Sequence, residues 1–282
     1  MLTTNPFAEL ANVSELISPT TMQIYAVLMF LLVVGGTILD IVHKKSMKYF
    51  NEYTDKAAAK ATRQVSAADM TGMRVKVLTS EVLTSSEFSN QKRRMSHLLT
   101  MYGFTLFVIT SAIMIFFYGD ASGGKTPAIW PVLWHLGALM LCVGGYWFWF
   151  AIRVDVAAEG KKWYDIAPKA DMFILSLLGT CTFALLWSFT SGAGIFFLLF
   201  LISSLFLFGG VYWSKFAHMF FKPAAAYQKK VLEANGHNQN LPYVPDLSSA
   251  EVHEKYPDIP TYMGKNPPNM GPGIRREPAN HY

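Results

Sequence analysis

The chain has 282 residues, of which 52% are hydrophobic and only 15% are charged, and its net charge is +5. A soluble domain of this size normally carries about 25% charged residues, so the composition excludes an ordinary soluble domain and indicates a lipid environment. No nucleic-acid partner is needed to explain the positive charge, because the basic residues follow a membrane pattern. The only cysteines, Cys142 and Cys181, lie in apolar stretches without a Cys-x-x-Cys motif, so we expect neither a disulfide nor a thiolate-held cluster.

Five apolar stretches are long enough, or nearly so, to cross a hydrocarbon core of about 30 Å, which takes about 20 helical residues. The last apolar region is too long for one crossing, and the turn residues 190–194 divide it into a hairpin. The sequence therefore predicts an all-α integral membrane protein, a five-helix bundle. Its spans are expected at residues 22–42, 97–118, 129–152, 172–189 and 195–218.

The distribution of Lys and Arg predicts the orientation of these spans, because basic residues accumulate in cytoplasmic loops. Residues 1–21 and the turn at 190–194 contain no basic residue, and the loop 119–128 contains only Lys125. All other basic residues fall on the opposite side. The N-terminus is therefore expected outside, as a periplasmic segment of residues 1–21, and the C-terminus in the cytoplasm. Residues 22–221 form the expected membrane domain.

Two polar regions are expected on the cytoplasmic side. Within the loop 43–96, the Ala- and Lys-rich run from Lys56 to Ala68 predicts a helix that continues into the cytoplasm or lies on the membrane surface. The tail 222–282 carries nine of the fourteen prolines, which predicts an extended segment, either disordered or wrapped along a partner. The tail's tyrosines favour the second alternative: Tyr243, Tyr256 and Tyr262.

Two histidines are expected at the same cytoplasmic level, because His97 opens the second span and His218 closes the fifth. Two neutral imidazoles on facing helices are what a bis-histidine haem b requires, and Gly103 would leave room beside the porphyrin. Alternatively, these histidines and His43 are interfacial side chains whose polar tips face lipid headgroups. Three basic residues at the water boundary are candidates for pairing with haem propionates: Arg93, Arg94 and Lys215.

A third histidine, His135, lies inside the third span near the outer leaflet, where an ionisable side chain is costly and therefore a functional candidate. At 1.5 Å per helical residue it is roughly 20 Å from the level of His97 and His218, so it cannot share their haem. His135 would mark a second haem or a quinone pocket. The alternative is a packed histidine that is hydrogen bonded to a carbonyl group.

The spans and two motifs together resemble the nitrate reductase gamma type of membrane cytochrome b. The motifs are His135-Leu136-Gly137-Ala138-Leu139 and the ending of span five, Ser-Lys-Phe-Ala-His-Met-Phe-Phe-Lys-Pro at 214–223. Within that family they are most similar to the membrane anchor associated with adenylylsulfate reductase and to the related membrane domain of quinone-interacting oxidoreductase complexes. The resemblance covers residues 92–223.

This resemblance implies a multi-pass protein of the bacterial inner membrane that exchanges electrons between a soluble cytoplasmic enzyme and the quinone pool through haem b. The soluble partner would be an iron–sulfur flavoenzyme, adenylylsulfate reductase (alpha and beta subunits) working in sulfite oxidation. The family's second haem would need histidines near Phe107 and Phe200, so one haem is preferred here and two would require His135.

The chain carries no phosphate-binding loop or nucleophile elbow, so we expect a non-catalytic or quinone-reactive subunit rather than the enzyme itself. The competing hypothesis is a haem-free membrane anchor or assembly subunit that only tethers the soluble enzyme. In that case the histidines are structural, and the basic loops and the tail hold the partner.

Overall fold

The computed structural model describes residues 2–10, 17–86, 88, 90–120, 126–155, 160–190, 192–236, 249–255 and 257. Within these residues all regular structure is helical. In chain order the α-helices are α1 (Pro6–Leu10), α2 (Pro19–His43), α3 (Ser46–Ala59), α4 (Ala67–Lys76), α5 (Gln91–Tyr118), α6 (Ile129–Trp147), α7 (Pro168–Thr190), α8 (Ile195–Gly209), α9 (His218–Ala234) and α10 (Ala250–Lys255). The tail tyrosines at 243, 256 and 262 lie outside the described residues.

Four described helices are long and apolar enough to cross a membrane: α2, α5, α7, and α6 together with its π-helical continuation Phe148–Ile152. They coincide with the first four predicted spans, and the chain is a multi-pass membrane protein. Helix α5 begins six residues before the predicted span, because the Asn90 side chain accepts hydrogen bonds from the Lys92 and Arg93 amides and caps the helix.

Glycines set the crossing of α5 and α6. A Cβ atom added to Gly137 would lie 2.7 Å from the Phe107 amide nitrogen, and one added to Gly103 would lie 2.8 Å from the Leu141 nitrogen. Such close backbone approach is how small residues pack membrane helices. The expectation that Gly103 makes room for a porphyrin is therefore wrong, because Gly103 faces α6.

Helices α7 and α8 form an antiparallel hairpin along their whole length. The Trp187 and Phe197 rings lie 4.9 Å apart near the turn, and at the other end a Cβ on Gly210 would lie 3.0 Å from Met172 Cε. The predicted span 195–218 is too long, since α8 ends at Gly209, where the Gly210 amide bonds to Phe206 O and turns follow. The sequence signal for this break is the pair Gly209-Gly210, which the predicted span ran through.

These pairings sort the helix ends into two groups. The end of α2 meets the end of α8 through a hydrogen bond between His43 and Tyr212, and the start of α5 meets the end of α6 through Ser96 Oγ, which donates to Gly144 O at 2.8 Å. One end of the bundle therefore collects the basic side chains that flank the helices: Lys44, Arg93, Arg94, Arg153, Lys169 and Lys215.

The predicted extended tail is wrong for its first part, because residues 218–234 form α9, which folds back onto the loop between α2 and α5. Lys230 pairs with Glu81 at 2.5 Å, and Asn235 O accepts hydrogen bonds from the Thr62 and Arg63 amides at 3.0 Å. The loop itself forms α3 and α4 rather than one helix over residues 56–68, since Ser66 starts a new helix by capping Asp69 N.

The N-terminal segment, predicted as a periplasmic segment, contains a short helix that packs into the opposite end of the bundle. The Phe7 ring lies 6.0 Å from the Trp134 ring and 5.3 Å from the Trp187 ring. Asn5 is fully buried, and its Nδ2 donates to Tyr118 O at 3.3 Å. Helix α1 therefore closes the end of the bundle opposite the basic side chains named above.

Candidate functional site

His97 lies in the second turn of α5 and is half-buried at the basic end of the bundle. Its Nδ1 lies 3.0 Å from Ser85 Oγ, and its ring lies 5.0 Å from the ring of Phe88. Both partners come from the segment that precedes α5. The hydrogen bond and the ring contact fix the orientation of the imidazole, so His97 is not an unconstrained interfacial side chain.

Ser85 is held in an unusual conformation. Its φ angle is 49°, in the left-handed region that L-residues avoid, and its exposed fraction is only 1%. The π-helical turn Val77–Val82 ends just before it. Strained backbone and π-helical turns both concentrate at functional sites. Sequence reasoning missed Ser85, because nothing in the polar run Thr84-Ser85-Ser86 distinguishes it.

Helix α9 reaches the same aromatic ring from another part of the chain. Lys222 Nζ lies 4.7 Å from the centre of the Phe88 ring, and the Arg93 guanidinium lies 5.6 Å from it. Positions 218 and 222 are one helical turn apart and so share a face of α9. The side chain of His218 lies outside the described part of the chain. Phe88 thus contacts both His97 on α5 and Lys222 near the start of α9.

The three basic residues proposed for propionates occupy different places. The Arg93 guanidinium lies over the Phe88 ring. Arg94 Nε donates to Thr84 O at 2.7 Å, which ties the strained segment to α5. Lys215 is exposed in a 3-10 turn, Lys215–Ala217, that leads into α9.

An aromatic cluster lies deeper in the bundle, about two turns from His97 along α5. The ring of Phe104 lies 6.3 Å from that of Phe208 and 6.2 Å from that of Phe216, and Phe173 contacts Phe216 at 5.5 Å. Phe216 is buried, although it follows the end of α8. These rings join α5, α7, α8 and the segment after α8 in an apolar layer beneath the candidate site.

His135 adopts the packed, carbonyl-bonded arrangement that was the alternative to a ligand. Its Nδ1 lies 2.7 Å from Pro131 O, and its Nε2 lies 3.0 Å from Ser188 Oγ. A carbonyl oxygen only accepts, so Nδ1 carries a proton, while Nε2 faces Ser188 Oγ, which also lies 2.8 Å from Leu185 O. Both ring nitrogens are engaged, Nδ1 within α6 and Nε2 in the contact that ties α6 to α7.

The level of the family's second haem is filled with aromatic side chains. Phe107 stacks on Trp134 at 5.2 Å, Phe200 stacks on Trp187 at 5.5 Å, and the two tryptophan rings meet edge to face at 6.3 Å. Both tryptophans are almost completely buried. A porphyrin does not fit between these helices unless this packing is dismantled, so the residues present do not suit an outer haem.

Ser85 offers a direct test of the strained contact. We expect Ser85→Ala to lower the free energy of unfolding by about 1 kcal/mol, because the hydrogen bond between Ser85 Oγ and His97 Nδ1 is lost while the left-handed backbone remains. Ser85→Gly loses the same bond but relieves a backbone strain of about 1–2 kcal/mol, so it should be close to neutral. Thermal unfolding of the purified protein in detergent measures both. Equal losses in the two variants would contradict a strained Ser85.

No family model, curated protein or solved structure matches this chain. The resemblance noted from the motifs therefore stays a prediction. The function has to be argued from the geometry around His97, from the helix pairings and from the charge distribution along the chain.

Proposed function

We propose that the chain is the membrane subunit of an oxidoreductase complex that binds one haem b near its cytoplasmic end. It would pass electrons between a soluble cytoplasmic iron–sulfur flavoenzyme and the quinone pool. The observation that carries the proposal is the convergence of two helices on Phe88: α5 brings His97 to this ring and α9 brings Lys222, one turn from position 218.

The proposal includes five crossings, with the N-terminus outside and the C-terminus in the cytoplasm. Helix α8 has 15 residues and is about 22 Å long, shorter than the other spans. Its antiparallel pairing with α7, from Trp187 beside Phe197 to Met172 beside Gly210, supports a full return to the side where α7 begins. The collection of Lys and Arg at that end supports a cytoplasmic assignment.

His97 and His218 would bind the haem iron, one from each helix. The contact between His97 Nδ1 and Ser85 Oγ supports this role, because a ligating histidine normally has its other ring nitrogen hydrogen bonded, which fixes the ring orientation. Arg93 and Lys222, whose charged groups lie over the Phe88 ring, would pair with the haem propionates. When bound, haem b supplies a one-electron carrier close to the cytoplasmic surface. His135 has no part in this site.

The soluble partner would dock on helices α3, α4 and α9. Helix α9 packs against α3 through Gln228 and Thr54, and against α4 through Tyr227 and Arg74. On the resemblance of the motifs, we propose adenylylsulfate reductase oxidising sulfite as that partner and the bacterial inner membrane as the location. The described part of the tail is folded against the loop, so the docking surface is a helical one and not the extended tail alone.

The test is the absorption spectrum of the full chain, purified from membranes supplied with haem and reduced with dithionite. We expect a b-type α-band that is lost in His97→Ala and in His218→Ala. The matched control is His43→Gln, a histidine at the same end of the bundle that bonds to Tyr212 instead. A colourless wild-type protein would overturn the proposal, and so would a band that survives both alanine variants.

One observation favours the haem-free anchor as a second candidate. The cluster of Ser85, Phe88 and His97 already binds the loop to α5 through protein contacts alone, as a structural histidine would. In that case the protein is colourless, the two alanine variants alter only stability, and the soluble enzyme still copurifies with the chain.

A further inference from the structure

The two cysteines, although 39 positions apart in sequence, meet inside the membrane domain. Cys142 on α6 and Cys181 on α7 are free thiols whose sulfur atoms lie 3.3 Å apart. A disulfide bond is about 2.05 Å long, so the sulfurs need to approach by only about 1.2 Å to form one. The helices are already close here, because a Cβ on Gly145, one turn along α6, would lie 2.7 Å from Leu178 Cδ2. The sequence predicts no disulfide and both thiols are free in the structure, but their separation is short enough for a bond to form between them.

A chain of polar side chains leads from this pair to the lipid-facing surface. Cys181 is completely buried, whereas Cys142 is partly exposed and its sulfur lies 3.8 Å from Thr182 Oγ1. Thr182 Oγ1 lies 2.8 Å from the hydroxyl of Tyr146, whose side chain is exposed on the outside of the bundle. Polar groups are rare on a lipid-facing surface, and a connected set of them marks a functional candidate.

We propose that Cys142 and Cys181 form a dithiol site that closes to a disulfide when a lipid-dissolved quinone accepts its electrons. The two S–H bonds break and one S–S bond forms. The two electrons and two protons released convert the quinone to its quinol. Cys142 is the sulfur that the quinone reaches, and Cys181 is the buried sulfur that completes the bond.

The position of the pair selects this class of oxidant. Both cysteines lie near the middle of helices that cross the membrane, where charged thiol reagents such as oxidised glutathione do not enter. A quinone headgroup dissolves in lipid and carries carbonyl oxygens. The Tyr146 hydroxyl offers a hydrogen bond to such a carbonyl at the surface end of the polar chain. Tyr146 is thus a positioning residue for the quinone.

The inference does not depend on the proposed haem, because the thiols and His97 lie on different parts of the bundle. Thiol labelling reports on the cysteines, and the absorption band reports on the haem.

The experiment uses the full chain in lipid nanodiscs, which is reduced, freed of reductant and exposed to a short-chain ubiquinone. It is then denatured in acid and labelled with a polyethylene-glycol maleimide. We expect two labels per chain before the quinone and none after it, with one quinol formed per chain.

Single variants provide the controls. Cys142→Ser and Cys181→Ser should each keep one label before and after the quinone, since no partner thiol remains. Two labels persisting in the wild type after quinone exposure would overturn the proposal. Loss of the remaining label in a single variant would also overturn it, because this would show direct reaction of the quinone with one thiol. Closure by oxidised glutathione as fast as by quinone would overturn the assignment of a lipid-dissolved oxidant.

Tyr146→Phe separates positioning from structure. Loss of one hydrogen bond to the quinone should slow closure by ubiquinone by about tenfold. Closure by diamide, a small permeant oxidant that does not need this hydrogen bond, should keep its wild-type rate. Equal slowing with both oxidants would show that the tyrosine only supports the packing and would contradict its positioning role.

Discussion

Arg153→Ala is expected to lower the free energy of unfolding by about 3–5 kcal/mol, because it leaves a buried carboxylate without its counter-ion. Arg153 has an exposed fraction of 1%, and its Nη2 lies 2.6 Å from Asp171 Oδ2. The same nitrogen donates to Asp165 O at 2.8 Å, and the guanidinium lies 4.1 Å from the centre of the Trp149 ring. One side chain therefore holds the end of α6, the following loop and the start of α7 together.

The measurement is reversible unfolding in mixed micelles, with two comparisons. Lys48→Ala removes an exposed ion pair with Glu52, 3.6 Å long, and should change the stability by less than about 1 kcal/mol. The double variant Arg153→Met, Asp171→Leu should be more stable than Arg153→Ala alone, because no buried charge is left unpaired. If Arg153→Ala cost no more than Lys48→Ala, the pair would not be buried in the folded protein.

Two glycine substitutions are expected to have effects of opposite sign. Gly137→Ala places a Cβ 2.7 Å from the Phe107 amide nitrogen, a backbone atom that cannot move aside, so α5 and α6 must separate. Overpacking of this kind costs about 1–3 kcal/mol. Gly35→Ala, in α2, meets nothing within 4 Å and should stabilise the helix by up to about 1 kcal/mol, since alanine is the better helix former.

The same unfolding assay measures both glycine variants, and the sign of each change is the result that matters. A destabilised Gly35→Ala would mean that this face of α2 is covered in the native protein. A neutral Gly137→Ala would mean that α5 and α6 lie farther apart at this crossing than the structure shows. Since α5 also carries His97, we further expect Gly137→Ala to weaken any haem band without abolishing it.

Local sequence patterns predicted the membrane helices well, because apolar runs and capping residues act within one element. The four long helices lie where the apolar runs do, and the described turn residues 192–194 directly precede Ile195. The end of α8 falls at Gly209-Gly210, a local turn signal that the predicted span did not use. The fold of α9 could not be predicted in this way, because it depends on partners distant in sequence, such as Glu81 for Lys230.

The candidate site was predictable only in part for the same reason. His97 could be singled out by its type and position in the span. Its orientation depends on Ser85, a buried serine with a positive φ angle that the sequence does not mark. The bonds that engage His135 come from Pro131, within its own helix, and from Ser188, which is 53 positions away. Contacts between residues far apart in sequence, such as His135 and Ser188, are visible only in the folded chain.

The buried N-terminal helix constrains the order in which the protein is assembled. Asn5 lies 3.3 Å from Thr126 Oγ1, a residue 121 positions later, and Phe7 packs on Trp187, which is made later still. During synthesis the first ten residues must therefore wait until α5, α6 and α7 have entered the bilayer. Residues 5–10 leave the ribosome well before those partners and are among the last to reach their native contacts.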